Sequence, residues 1–149
     1  MIAAEKQLKG FIDKFEPRHQ ALIRAARKAL RKRFAGAFEL VYDNYNFFVI
    51  GYSPTERTSD AIVSLAAAAN GARLFFLQGR TLPDPKKVLL GSGSVVRSVR
   101  LESVDVLARP EIEALVTAAI KQSDAPLAGG RCKLIIRSVS KKQRPRRRT

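Results

Sequence analysis

Hydrophobic residues recur at helical spacing in three segments of the chain. In the longest segment the apolar positions begin after Glu16-Pro17 and lie on one side, and Gly36 marks its end. Proline is tolerated in the first turn of a helix, where its missing N–H would have no partner. A shorter helix precedes this one and another starts at Pro110. The predicted inward positions are Leu8, Phe11, Ile12 and Phe15 in the first helix, Leu22, Ile23, Ala26, Leu30 and Phe34 in the second, and Ile112, Leu115, Val116, Ala119 and Ile120 in the third.

Between these helices the pattern changes to short segments rich in β-branched and aromatic residues, which favour strands. Residues 40–42 and 47–50 flank a polar turn, and alternation directs either Phe47 or Phe48 inward. Asn70-Gly71 predicts a hairpin because both residues accept positive φ, although the alanines at 66–69 leave a short helix as the alternative. Residues 95–101 predict a further strand, and residues 133–139 predict a short final strand or an extended arm. Helices, then strands, then a helix predict an α+β fold in which helices pack on one face of an antiparallel sheet.

Charge is distributed unevenly along the chain, whose net charge is +15 over 149 residues. Residues 1–34 hold ten basic and three acidic side chains, residues 35–128 hold nine and ten, and residues 129–149 hold nine and none. Such asymmetry concerns partners rather than fold. We predict one domain over residues 1–139 and a basic flexible tail over residues 140–149. The N-terminus lacks the pattern of a signal peptide, no apolar run is long enough to span a membrane, and there is one cysteine, so we expect a cytoplasmic location.

Short segments in a fixed order extend over most of residues 8–146. They are Val63-Ser64-Leu65, Asn70-Gly71-Ala72-Arg73-Leu74-Phe75-Phe76, Leu82-Pro83-Asp84-Pro85, Leu89-Leu90-Gly91-Ser92-Gly93, Val96-Arg97, Arg109-Pro110-Glu111-Ile112, Leu134-Ile135-Ile136-Arg137-Ser138 and Lys142-Gln143-Arg144-Pro145-Arg146. Together they resemble the YdhG-like family of small bacterial domains of unknown function. The resemblance implies a frataxin-like fold, with helices on one face of an antiparallel sheet.

The same resemblance raises an alternative function, because one branch of the family has been proposed to act as an intracellular iron chaperone. Frataxin-type iron binding depends on acidic residues along the first helix and the adjoining edge. The long N-terminal helix of this chain displays basic residues instead, and its nearest acid is Glu16. No iron-binding residue can be carried over position by position.

Residues typical of metal sites and catalysis are sparse. His19 and Cys132 are the only histidine and cysteine, and they lie in different segments without HxxH or CxxC spacing. Hard cations need converging carboxylates, whereas the aspartates are scattered singly among predicted turns. We therefore predict no catalytic residue, no metal site and no cofactor, and a binding protein rather than an enzyme.

Two segments offer polar groups to a small ligand. The run Gly91-Ser92-Gly93-Ser94 could present backbone N–H groups to an anion, and it is otherwise a flexible turn. The aromatic segment around residue 45 could line a pocket over the sheet, or it consists of turn residues. The candidate ligand-binding residues are Tyr42, Asn44, Tyr45, Lys86, Gly91, Gly93 and Arg97.

The basic regions carry the strongest physical signal in the sequence. Clustered cations bind polyanions by counterion release and without reading sequence. We predict weak association with nucleic acid or another polyanion, beside an unknown small ligand or protein partner; the alternative is a solvated charged surface. Attraction to a membrane surface is disfavoured because the tail has no apolar anchor. The candidate polyanion-binding residues are Arg24, Arg27, Lys28 and Arg31 in the long helix, and Lys141, Lys142, Arg144, Arg146, Arg147 and Arg148 in the tail.

Overall fold

A computed structural model describes residues 2–148. The helices are α1 (Ala3–Asp13), α2 (Pro17–Arg33) and α3 (Pro110–Gln122). The strands are β1 (Phe38–Asp43), β2 (Phe48–Ser53), β3 (Val63–Ala68), β4 (Gly71–Phe76), β5 (Arg97–Leu101) and β6 (Lys133–Val139). Short 3₁₀ turns lie at Thr58–Asp60, Gly79–Thr81 and Val104–Ala108. The predicted α+β class is confirmed.

The six strands form one mixed sheet in the order β5-β4-β3-β2-β1-β6. Strands β1 to β5 pair antiparallel as a succession of neighbours, and β6 pairs parallel to β1 with a register shift at Val41/Tyr42. The prediction of an antiparallel sheet is therefore correct for five strands and wrong for β6. After α3 the chain crosses back to the β1 edge of the sheet. Strand β6 then begins at the same end of the sheet as β1 and runs in the same direction.

Period-two alternation directs one face of the strands toward the helices and builds the core there. Phe48 lies on this face, with its ring 6.3 Å from that of Phe11 and 6.0 Å from that of Phe15. Its neighbour Phe47 points to the opposite face and is 48% exposed. The apolar stripe of α2 also faces inward, as predicted, because Ile23 and Leu30 are buried.

The hairpin predicted at Asn70-Gly71 is present, and the alternative helix over the alanines is absent. Strands β3 and β4 pair antiparallel on either side of this turn. Gly71 adopts φ +126°, which side chains other than that of glycine rarely allow. Burial of small side chains on β3 outweighs the helix propensity of alanine here.

The segment after β6 packs against the body instead of extending from it as the predicted tail. Arg146 is only 4% exposed, and its guanidinium donates to Asp43 Oδ1 at 2.9 Å and to the carbonyl oxygen of Asn44 at 2.6 Å. Gln143 donates to the carbonyl oxygen of Asp43 at 2.7 Å. The physical reason is Asp43 itself, whose buried carboxylate draws in both Arg146 and Lys14. The folded unit therefore continues beyond residue 139.

Replacing Arg146 should destabilise the whole fold. Arg146→Ala leaves the buried Asp43 with Lys14 as its only cation, so we expect the free energy of unfolding to fall by about 3 kcal/mol. The matched control Arg148→Ala removes an exposed cation of the same segment and should change stability by less than about 0.5 kcal/mol. Urea denaturation measures both. Equal midpoints for the two variants would show that the segment contributes no packing.

Candidate functional site

The cations predicted on the long helix border a groove with the segment that leads into β6. Arg24, Lys28 and Lys32 are exposed on α2, and Arg31 lies partly exposed beside them. The groove has a volume of about 380 Å³ and is lined by Arg24, Arg27, Lys28, Arg31, Lys32, Gly130, Arg131 and Cys132. Arg131 comes from a distant part of the chain, so the fold adds a cation that the helical pattern alone could not place there.

Beneath the groove, Arg27 is occupied by two carboxylates. It donates to Glu5 Oε1 at 2.7 Å and to both oxygens of Glu39, at 3.0 Å each. Glu39 is fully buried and also accepts a hydrogen bond of 2.9 Å from the Tyr52 hydroxyl. Arg31 approaches Glu39 at 3.4 Å. The prediction that Arg27 contacts a polyanion is therefore corrected: this side chain joins α1, α2 and β1.

Ionisation of this cluster follows from its geometry. Hydrogen bonding from Arg27 holds the pKa of Glu5 below its ordinary value. Burial opposes the charge of Arg27, but its hydrogen bonds to Glu5 and Glu39 outweigh burial and raise its pKa. Burial, followed by the charge of Glu39, raises the pKa of the Tyr52 phenol. The cluster is thus a closed set of fixed charges and a neutral phenol.

Four cations of the groove are exposed to solvent: Arg24, Lys28, Lys32 and Arg131. Within residues 2–148, Lys28, Lys32 and Arg131 form no ion pair, whereas Arg24 meets Asp13 at 2.8 Å in an exposed pair. Exposed pairs of this kind are weak and screened by salt. The groove therefore presents several cations to solvent with little neutralisation.

Cys132 forms part of the groove wall. Its thiol donates to the carbonyl oxygen of Phe34 at 3.4 Å, and it also approaches that of Arg31. His19 lies 12 residues before Arg31 on α2, which is about 18 Å along a helix. The only histidine and the only cysteine are therefore not brought together.

The C-terminal cations divide into bound and exposed ones. Arg146 is buried, Arg144 donates to Asn46 and lies 5.6 Å from the ring centre of Tyr45, and Arg147 donates to the carbonyl oxygen of Lys14. The cations exposed without a hydrogen bond or ion pair inside residues 2–148 are Lys141, Lys142 and Arg148. The predicted cluster of six in the tail thus offers fewer free charges than its sequence indicates.

Arg148 lies close enough to the start of α2 for its charge to act on His19. Burial and the positive charges of Arg18 and Arg148 lower the pKa of His19. Arg131 lies at the opposite end of the same helix, and a helix of 17 residues is about 25 Å long. We call the exposed and partly exposed cations along this length the α2 basic surface; it consists of Arg18, which approaches Glu16 at 3.4 Å, and of Arg24, Lys28, Arg31, Lys32, Arg131 and Arg148.

The seven residues predicted to bind a small ligand do not surround one cavity. Tyr42 lies on β1 and Arg97 on β5, and three strands separate them in the sheet. Four strand spacings amount to about 19 Å. The two candidate segments therefore lie at separate places in the sheet and do not form one pocket.

The glycine-rich segment holds a cation instead of offering N–H groups to an anion. The Arg97 guanidinium donates to the carbonyl oxygens of Gly93 at 2.7 Å and Val96 at 2.8 Å. Lys86 lies 3.7 Å from Glu111 rather than beside Gly91. These contacts do not support an anion nest there.

The aromatic segment is engaged with its neighbours. The Tyr42 hydroxyl forms a hydrogen bond with that of Thr58, and the amide oxygen of Asn44 accepts one from Ser138. Tyr45 is 49% exposed, with Arg144 over its ring. Tyr42 therefore joins β1 to the β2–β3 connection, while Asn44 and Tyr45 join the turn after β1 to β6 and the segment that follows it.

The acidic residues of α1 and β1 lie beside cations, and Asp60 and Asp124 line a separate cavity of about 610 Å³. Among residues 2–148, no group of three or more His, Cys, Asp or Glu side chains is arranged to hold a metal ion. Glu5, Asp13, Glu39 and Asp43 each contact a lysine or arginine. The iron-chaperone alternative stays a prediction without an assigned site. Over the same residues, no helix has the length and apolar character needed to cross a membrane.

The Glu5–Arg27 pair should make stability depend on acid pH. The pKa of Glu5 lies below its ordinary value of 4.5, so its contribution is complete above that value and is lost as the pH falls through the folded pKa. We expect Glu5→Gln to be less stable than the parent at pH 7 and to show a smaller further loss by pH 3. Urea unfolding at both pH values measures this, with the exposed Glu56→Gln as the control. If the free energy of unfolding falls equally between pH 7 and pH 3 in the parent and in Glu5→Gln, the ion pair does not cause the pH dependence.

Comparisons with known proteins leave the site to be interpreted from its own geometry. No family model, curated protein or solved structure matches this chain. The resemblance to the YdhG-like family and to the frataxin-like fold therefore remains a prediction from the sequence segments quoted above. The established description is an α+β domain with a six-stranded mixed sheet and a cationic groove along α2.

Proposed function

We propose that this protein is a non-enzymatic binding module, YdhG-like in type, that associates with polyanions through the α2 basic surface. We take nucleic acid as the polyanion because its backbone carries a phosphate at every nucleotide. The observation that carries the proposal is the groove in which Lys28, Lys32 and Arg131 face solvent without acidic partners among residues 2–148.

Binding at such a surface is driven by ion exchange. A phosphate backbone releases condensed counterions when lysine and arginine side chains neutralise it, so affinity falls steeply as salt rises. Lysine ammonium groups on flexible stems adapt to phosphates at varied positions. The proposed contact is therefore sequence-independent.

The buried cluster under the groove supports this arrangement. Glu39 and Glu5 hold Arg27 inward and fix α2 against the sheet. Because Arg27 takes up the carboxylates, Lys28 and Lys32 remain available on the solvent side. A rigid helix that presents fixed cations loses less conformational freedom on binding than a disordered tail does.

The packed C-terminal segment contributes to the same surface in a limited way. Arg148 adds charge near the first turn of α2, and Lys141 and Lys142 lie exposed beyond β6. Arg146 stabilises the fold and stays inaccessible. Deleting the segment would therefore mix loss of charge with loss of stability, and point substitutions separate the two.

Removing two exposed cations of the groove should weaken binding and its salt dependence together. For Lys28→Ala with Lys32→Ala, we expect weaker binding to duplex DNA and a slope of log affinity against log salt that is smaller by about 2, one for each lost phosphate contact. Fluorescence anisotropy of a labelled duplex between about 50 and 200 mM salt measures the slope.

The control for net charge is Arg109→Ala with Lys121→Ala, which removes two exposed cations near the ends of α3. This pair should leave the slope nearly unchanged. Equal effects from both pairs would show that only total charge matters, and no binding by the parent at low salt would refute the proposal.

A further inference from the structure

The three helices cover one face of the sheet, and the opposite face is covered only in part. The connection between β2 and β3 lies over the β1–β2 side, where Ala61 approaches Gly51 and the Tyr42 hydroxyl meets Thr58. Leu40 and Ser53 on that side are fully buried. The face formed by β3, β4 and β5 contains a hollow of about 230 Å³. We call it the open sheet face.

Strand register explains what this face displays. Ala66 on β3 pairs with Arg73 on β4, and Arg73 pairs with Arg100 on β5. Directly paired residues share one face of the sheet, so the two arginines stand side by side next to a small alanine. Phe75 is two residues from Arg73 on the same face, and Phe47 borders the hollow from the start of β2.

The two arginines are an uncompensated pair of like charges. Directly opposite like charges destabilise an antiparallel pair. Within residues 2–148, neither guanidinium forms an ion pair or a side-chain hydrogen bond, and Arg100 is exposed. Both buried acids of this fold, Glu39 and Asp43, have cationic partners. By contrast, these two adjacent arginines have no acidic partner in the described part of the chain. An anionic ligand complements this charge.

The neighbouring aromatic residues narrow the chemistry of that ligand. Phe47 is 48% exposed, and Phe75 lies partly exposed beside Arg73. Exposed aromatic rings on a sheet stack against unpaired bases, while arginines meet the adjoining phosphates or stack themselves. A sulfated or phosphorylated polymer without bases would contact the arginines but not the phenylalanines. Bases within a duplex are already stacked on one another and offer no free face to these rings. Unpaired bases therefore complement this surface best.

We propose that the open sheet face binds single-stranded nucleic acid, with a base against Phe47 and phosphates beside Arg73 and Arg100. Asn70, in the β3–β4 turn, also borders the hollow and offers an amide to a base edge. This inference goes beyond the proposed function by adding a second contact and naming the class of nucleic acid that it takes. Asn70 and Arg100 also border a hollow beside Arg18 of α2, whereas Phe47 and Arg73 do not line that hollow, so substitutions of these two residues test the open sheet face separately from the α2 basic surface.

The test compares three probes at one salt concentration: a labelled single-stranded DNA, a duplex of the same length, and heparin, a polyanion without bases. We expect Phe47→Ala to weaken single-strand binding by about tenfold, the effect of losing one stacked base, and to leave duplex and heparin binding within about twofold. Phe47→Trp should keep the affinity because its ring also stacks. Val95→Ala, an exposed apolar residue of another loop, is the control and should change nothing.

Arg73→Ala tests the anionic part of the same contact. We expect it to lower single-strand affinity at least fivefold, with a smaller effect on the duplex. Far-ultraviolet circular dichroism and the thermal midpoint establish that each variant is folded, and Phe47, being half exposed, can be changed without opening the core.

The outcomes distinguish the two proposals. If Phe47→Ala and Arg73→Ala bind all three probes like the parent while Lys28→Ala with Lys32→Ala weakens them, the open sheet face is refuted and the α2 surface stands. If the sheet variants lose only single-strand binding and the lysine variant has no effect, the inference stands and the α2 proposal fails. If Phe47→Ala and Arg73→Ala lower the affinity for all three probes equally, the face binds polyanions through charge alone and the role of stacking is refuted.

Discussion

The fold depends on two buried carboxylates of β1 that face the helices. Glu39 and Asp43 are both fully buried, four residues apart on the same side of the strand. A buried carboxylate is tolerated only when cations and hydrogen bonds replace its lost hydration. Glu39 obtains Arg27, Arg31 and the Tyr52 hydroxyl from α2 and β2, and Asp43 obtains Lys14 and Arg146 from the end of α1 and the C-terminal segment. These contacts join distant parts of the chain to one strand.

The same contacts decide which cations remain available for binding. Those that approach β1 are neutralised inside the protein, and those on the outer side of α2 or on the open sheet face have few acidic neighbours. The distribution of the +15 net charge along the sequence therefore suggests more free cations in the C-terminal segment, and fewer in the rest of the domain, than the structure presents to solvent. The proposed contacts, on two faces of the domain, suit an extended polyanion better than a compact metabolite.

Local patterns in the sequence were sufficient for the elements and insufficient for their long-range contacts. Helical stripes, the Asn70-Gly71 turn and strand alternation follow from neighbouring residues, so the α+β class could be predicted. The parallel pairing of β6, the burial of Arg146 and the meeting of Arg131 with α2 join residues far apart along the chain, which composition and spacing do not encode. A signal was nevertheless present: Glu39 and Asp43 share the inward face of a strand that lies beside a basic helix, which indicates buried ion pairs. Arg73 and Arg100 could be placed together only once the β4–β5 register was known.

Strand β6 closes one edge of the sheet without a further strand beyond it. An edge of seven residues exposes unpaired backbone N–H and C=O groups, which invite another copy of the chain to add a strand and begin aggregation. Lys133 and Arg137 stand exposed along this edge, and Lys141 and Lys142 follow it. Because two such edges would place these charges against each other, charge repulsion disfavours the pairing of β6 with β6 of a second copy. The exposed basic residues of β6 and of the segment after it thus act against aggregation through this edge, independently of any ligand.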